Sequence, residues 1–350
     1  MILTTAKSRL FLLFSLVVIS FSISPPVSAK EVLRILAWPG YADQDIVVAF
    51  EKRYDVDVEV SFVNSDDALW EKINANNGGN YDVFAVNTAE LQRYIDKGLS
   101  IPINLGNIPN RANQLPRFQK YESIPGIIRK NQLFAIPYTY SEMGLIYNRK
   151  KVKNIPQSMS AMWDPDYRGR VLAYNTSNHN FSIAALLMGV KNPFQLDDKG
   201  IKQAARQLVQ LRRNVLTFYS SPEEAVKLYV ENEIVLIFGN YGSQQVTALK
   251  AAGADIGYII PREGALAWLD CWAITRGAKN NKLAERWINY SLEKNVSERL
   301  TKRQGLANTI TPFPNSNSGD KIIWLEPLEN YTKRKALWDR IQSGDTLETF

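Results

Sequence analysis

One cysteine, Cys271, and one histidine, His179, stand in a chain of 350 residues. A lone cysteine rules out an intrachain disulfide, and one His with one Cys cannot build an ordinary zinc site. The sequence contains no Gly-x-Ser-x-Gly elbow and no Gly-x-x-x-x-Gly-Lys loop. The signatures of an α/β-hydrolase nucleophile and of a phosphate cradle are therefore missing. A hydrolytic triad built on His179 with remote partners stays open as a reading, because triads are recognised by geometry and not by spacing. Neither cofactor nor metal is expected. An excess of one charge is lacking too: 42 Lys and Arg face 35 Asp and Glu, a net of +7. Clusters such as Arg149-Lys150-Lys151 and Lys333-Arg334-Lys335 are short. They read as solvated faces, and no nucleic-acid partner is expected.

Long apolar runs are scarce, and the clearest lies at the N-terminus. Lys7 and Arg9 precede an apolar stretch from Leu10 to Ile23, which Pro25 and Pro26 break before the small residues Val27-Ser28-Ala29. A membrane anchor is the competing reading, but the run is short for a span, and the pattern is that of a cleaved secretory signal. Cleavage is expected after Ala29, with residues 1–29 as the signal peptide and no lipoprotein anchor. Without Lys7 and Arg9 the net charge is +5. The remaining length exceeds one comfortable core and predicts two domains.

What is present is a rhythm of short strands and amphipathic helices. Glu31 to Ala37, Val56 to Val63 and Tyr81 to Val86 read as strands. Asp43 to Tyr54 and Asp66 to Asn76 read as helices, the first with Ile46, Val47, Phe50 and Tyr54 on one face. Such alternation implies parallel pairing in an α/β sheet. The rhythm resumes beyond Val171, where Ser221-Pro222-Glu223-Glu224 marks a helix start. Two segments break it: Leu133 to Asn148 and Gly264 to Ile274 are extended, aromatic and without helices. We read them as crossings between two lobes. The expected fold is α/β and two-lobed, each lobe a mainly parallel sheet flanked by helices. Residues 30–138 with 265–312 form lobe 1, and residues 139–264 with 313–350 form lobe 2.

The polar candidates for chemistry are few. Asp66-Asp67 and Glu223-Glu224 fall in first turns of helices, where they complement the helix dipole. The aromatic residues carry more. Trp38 and Tyr41 flank a Pro-Gly turn at a strand end. In an extended chain Trp268, Asp270 and Trp272 point to one face. A carboxylate between indoles is a seat for an ammonium group. A buried Asp pinning a hinge by bonds to backbone amides is the other reading, and both stay open.

Several stretches together resemble the periplasmic spermidine/putrescine-binding proteins of ABC importers. They are Trp38-Pro39-Gly40-Tyr41, Tyr81-Asp82-Val83-Phe84, Ile136-Pro137-Tyr138, Trp163-Asp164-Pro165-Asp166-Tyr167-Arg168-Gly169 and Trp268-Leu269-Asp270. The resemblance implies a periplasmic-binding-protein fold that closes on a small organic amine and presents it, as a monomer, to an inner-membrane permease. It implies an aromatic wall from Trp38 and Tyr41, and an indole and carboxylate from Trp268 and Asp270. It also implies a cleft-lining loop at Val86-Asn87-Thr88, and a ring at Phe238, with Tyr241 nearby. Two departures concern the ligand. Gly40 stands where the family carries an acid, and Asn175, Thr176, Ser177, Asn178 and His179 stand where it carries acidic residues. A di- or triammonium ligand needs about one anionic partner per charge. The departures therefore leave open a smaller or monocationic amine, or a zwitterion. Glu142 is the candidate second carboxylate, or else a surface residue. His179 is a partial charge or acceptor, or an ordinary loop residue. A ferric-iron or anion binder using Tyr138 and Tyr140, and a ligand-presenting sensor component, are the other readings on this fold.

Overall fold

The computed structural model of the protein describes residues 30–312 and 319–346. The expected signal peptide, residues 1–29, lies outside the described residues. Among those described, no helix is long and apolar enough to cross a membrane.

Strand β1 (Val32–Ala37) is sandwiched between β2 (Asp57–Phe62) and β3 (Val83–Asn87), both parallel to it. Helices α1 (Gln44–Tyr54) and α2 (Asp66–Asn74) make the connections. These are the right elements for the sequence pattern: Leu33, Ile35, Leu36 and Ala37 are buried, as are Ile46, Val47 and Phe50 of α1. Beside β3, and antiparallel to it, runs the long strand Ala265–Thr275. That strand pairs antiparallel with Ala135–Met143, which ends the sheet together with Ala307–Asn308.

A second sheet has the order Val215–Tyr219, Val171–Tyr174, Leu236–Phe238, Leu145–Asn148 and Ile256–Ile259. Its first three strands are parallel and its last two antiparallel. Alternation sorts its side chains onto two faces. Val171, Ala173, Leu236 and Phe238 enter a core under the helices Ser177–Leu187 and Asp198–Asn214, while Leu172 and Ile237 enter a core on the other face. The first sheet has its own core. The helix Tyr331–Ser343 adds Trp338 and Ile341 to the second lobe's core.

The two-lobed α/β plan thus stands, and the sheets are mixed. Parallel pairing holds where a helix returns the chain, whereas the crossing strands reverse direction because each meets its neighbour without a crossover helix. The passage from first sheet to second falls at Gly144, beyond the division expected after Tyr138, since residues through Met143 stay paired in the first sheet. A Cβ at Gly144 would lie 2.4 Å from the Ile259 carbonyl oxygen. Only glycine lets the chain through there.

Tyr81-Asp82 owes its place to a buried ion pair. Asp82 takes Arg34 Nε at 3.0 Å and Nη2 at 2.7 Å, and the backbone amides of Arg34 and Lys279 at 2.8 and 2.7 Å. One carboxylate therefore ties β1 to the end of the second crossing. Asp82→Ala leaves Arg34 buried and unpaired, and is expected to destabilise the protein by about 3–5 kcal/mol in chemical denaturation.

Candidate functional site

The first lobe's wall begins at the Trp38–Tyr41 turn. The Tyr41 amide donates to the Trp38 carbonyl at 3.2 Å, and Gly40 has φ +88°. Proline second and a left-handed residue third is what this turn demands, so glycine at 40 is a backbone requirement. The space a side chain would fill is taken: a Cβ there would meet the Gln304 carboxamide at 2.5 Å. The turn aims Tyr41 inward. Its ring lies edge-on to Tyr138 and Trp272, with centroids 5.6 and 6.4 Å away.

The Tyr41 hydroxyl donates to Asp270 Oδ2 at 2.6 Å. Asp270 is 8% exposed, and its carboxylate has no other protein partner and no ion pair among the described residues. Desolvation pushes its pKa up to about 7, against the opposing pull of the Tyr41 hydrogen bond. The backbone amides expected under the hinge-pin reading do not bond to it. Trp268, two residues back on the same face, is half-buried and touches the cores of both lobes.

Register then joins residues that the sequence named separately. Asp270 stands opposite Asn87 on β3, and opposed residues in an antiparallel pair share a face. Asn87 caps the helix Thr88–Asp96, accepting from the Glu90 amide at 2.9 Å, while its Nδ2 donates to Asp66 Oδ1 at 3.1 Å. Asp66 is half-buried. Desolvation first, and then the charges of Glu90 and Asp270, push its pKa up to about 7. Its position in a first turn had suggested only a dipole partner, and nothing in local sequence says which strand end lies beside it. Thr88 is fully buried and donates to the Leu325 carbonyl at 3.4 Å, tying the lobe to the C-terminal segment.

The second lobe's wall is neutral. His179 lies in the first turn of the helix Ser177–Leu187, stacked near Tyr174 with centroids 6.2 Å apart. Its Nδ1 contacts Asn240 Oδ1 at 2.7 Å. Against that acceptor Nδ1 carries the proton, leaving Nε2 as an acceptor with no hydrogen-bond partner among the described residues. Burial lowers the His179 pKa to about 4, so the ring is uncharged at neutral pH. Thr176 is the residue before that helix, half-buried, and its hydroxyl makes no capping bond. Tyr241 is half-buried and donates to the Ser220 carbonyl at 2.8 Å. Asn175 faces away and accepts from Trp338 Nε1 and Gln342 Nε2, which fastens the C-terminal helix.

Between the walls is a cavity of about 440 Å³. Asp66, Asn87, Glu90 and Arg93 reach it from the first lobe, Asn178, His179 and Ser182 from the second, and Leu325 to Leu328 from the C-terminal segment. Three expectations need correction. Phe238 has no exposed surface, because alternation on its strand turns it into the second core. Glu142 is buried on the opposite face from Asp270, since it pairs with Ala267 and lies beside Arg117 and Tyr140. Tyr138 and Tyr140 are fully buried with unpartnered hydroxyls, and desolvation raises both phenol pKa values, that of Tyr140 to about 12. They offer no iron site. No group of three His, Cys, Asp or Glu side chains fit to hold a metal occurs among the described residues.

Trp38, Tyr41, Thr176, Tyr241, Trp268 and Asp270 are not among the residues that line this cavity. A cavity lined from two lobes, with the Asp66 carboxylate on one side and the neutral His179 on the other, is that of a ligand-binding protein. The pattern of the family described as "Bacterial extracellular solute-binding protein" matches residues 45–324, and the chain belongs to that family. The family binds solutes, and the chain is not an enzyme. The reading of His179 as a hydrolytic base falls with it. Among its relatives, spermidine/putrescine-binding periplasmic protein 1 of Haemophilus influenzae is 26% identical over 83% of this chain and 76% of its own length. The putrescine-binding periplasmic protein PotF of Escherichia coli is 25% identical over 92% and 94%. Similar solved folds include the TpPotD lipoprotein of Treponema pallidum (TM-score 0.77, 19% identity, 89% of this chain and 100% of that one). Another is the spermidine/putrescine transporter substrate-binding protein PotD of Streptococcus pneumoniae (TM-score 0.74, 19% identity, 90% and 99%).

The Asp270 titration has a signed consequence for the empty protein. Its folded pKa is above its unfolded value, so its contribution to stability is full at pH below 4 and is lost as pH rises through about 7. His179, with a lowered pKa, acts in the opposite sense over part of that range. Comparison with Asp270→Asn isolates the first effect. The unfolding free energy of the wild type relative to this variant is expected to fall between pH 4 and 7 and to level off above pH 8.

Proposed function

We propose that the chain is the solute-binding component of an ABC importer, taking a polyamine or related small organic amine between its lobes and delivering it to an inner-membrane permease. The observation that carries this reading is Asp270: a desolvated carboxylate with one phenol for a partner and no cation. A ligand ammonium supplies the missing charge, and such charge-assisted bonds are the strong ones in a site shielded from water. The indole of Trp268 and the rings of Trp38 and Tyr41 give the cation aromatic faces. Thr176, Tyr241 and the neutral His179 contribute from the second lobe. The names of the relatives, which bind putrescine and spermidine, point the same way. A zwitterion fits less well, because the cavity's one arginine, Arg93, is already paired with Glu90.

In this reading the moving units are residues 30–143 with 265–312, and residues 145–264 with the C-terminal helix. A ligand that touches both has higher affinity for the closed form and shifts the population toward it. The protein works in the periplasm as a monomer, after removal of residues 1–29. Calorimetry on ligand-stripped protein tests the reading. Putrescine or spermidine is expected to bind, and γ-aminobutyrate to bind more weakly. Asp270→Asn is expected to weaken amine binding by about ten- to a hundredfold. No binding of any cationic amine, or unchanged affinity in the variant, overturns it.

A further inference from the structure

We propose that Asp66 is a second ammonium seat in the cleft, and that the ligand class is therefore one carrying at least two ammonium groups. This inference rests on the amine reading of Asp270 and deepens it. Two of the cavity's carboxylates, Glu90 and Asp96, are already paired. Glu90 pairs with Arg93 at 2.8 Å, and Arg93 is further committed to the Asp66 backbone carbonyl at 3.0 Å and to the face of Trp70 at 4.5 Å. Asp96 faces Arg129 at 3.5 Å. Among the described residues the Asp66 side chain is in no ion pair, although the Arg93 charge pulls its pKa down against the larger effect of desolvation. Its one hydrogen-bond partner among the described residues is the Asn87 amide, which holds Oδ1 in place.

Position supplies the second half of the argument. Asp66 lines the 440 Å³ cavity directly. Asn87 stands between it and Asp270: bonded to Asp66 through its side chain, and opposed to Asp270 in the sheet. Desolvation first, then the charges of Glu90 and Asp270, disfavour ionisation of Asp66. A ligand with one ammonium relieves that repulsion at one site only. A diammonium ligand neutralises both, and its charges are spaced by a chain that the apolar and aromatic surfaces can accept. The carboxylates missing at Gly40 and at Thr176–His179 are then replaced on the first lobe alone, while the second lobe offers His179 Nε2 as a neutral acceptor. Glu326 also reaches the cavity without an ion pair, but no hydrogen bond fixes its side chain. A held carboxylate loses less freedom on binding than a free one.

The test is calorimetric titration of putrescine into ligand-stripped wild type, Asp66→Asn, Asp270→Asn and Glu326→Gln at pH 8. Asparagine at 66 keeps an acceptor for Asn87, and circular dichroism melting checks that each variant is folded. Asp66→Asn and Asp270→Asn are each expected to weaken putrescine by about ten- to a hundredfold. If Asp270→Asn weakens binding and Asp66→Asn does not, the second seat is wrong while the amine reading survives. If the loss appears in Glu326→Gln and not in Asp66→Asn, the seat belongs to the C-terminal segment and the inference is overturned. If Asp270→Asn itself changes nothing, the amine reading fails first.

Discussion

Two strands carry the chain between the lobes, hydrogen bonded to each other along most of their length, and the segment after Ile322–Trp324 crosses a third time to the helix Tyr331–Ser343. The pairing of Ala135–Met143 with Ala265–Thr275 is what the rest of the molecule hangs on. Both belong to the first sheet, so that lobe is a rigid platform that includes the crossings. The second lobe starts where the sheet ends, at Gly144, and meets the platform again through Gly242. There a Cβ would lie 2.0 Å from Ser141 Oγ and 2.3 Å from the Glu142 carbonyl oxygen. Two glycines at two close approaches make the joint narrow. A narrow joint between two separate cores is the structural condition for closure without loss of either core.

The same pairing sets the electrostatics. The strand that crosses is also the strand that carries Trp268 and Asp270, so the charged residue is buried at the junction. It sits against β3, whose end carries Asn87. Charge is thereby concentrated on the platform, and the second lobe closes with neutral groups. That division separates two tasks. On the amine reading proposed above, a cation is drawn to the first lobe by charge, and the affinity gained on closure comes from hydrogen bonds and ring faces, which are directional and selective. The neutral state of His179 belongs to this scheme: a charged imidazole on the closing wall would repel the ligand that the platform attracts.

Much of this was readable along the chain. Burial with a period of two or of 3.6 gave the strands and helices, and Ser221 does cap its helix, accepting from the Glu224 amide at 3.2 Å. The aromatic crossings, the Pro-Gly turn and the carboxylate among indoles were visible because each is a local contradiction. Polar or aromatic residues stood where an ordinary core strand or turn has no use for them. Gly40 read along the chain only as a position without a charge; the structure adds a backbone reason, its positive φ at the third place of the turn.

The sequence by itself determined the elements, the two-lobed plan and the local pattern that sets Asp270 among aromatic residues. Those depend on interactions within a few residues of chain, where periodicity and turn rules apply. The tertiary structure decided which charges meet. It turned Glu142 away through strand register, buried Phe238 through alternation on its strand, and tied Asp66 through Asn87 to the strand end that stands opposite Asp270. Register and strand order join residues that are about 200 positions apart, as with Asp66 and Asp270. No local pattern encodes such a meeting, because its energy comes from the packing of the whole sheet.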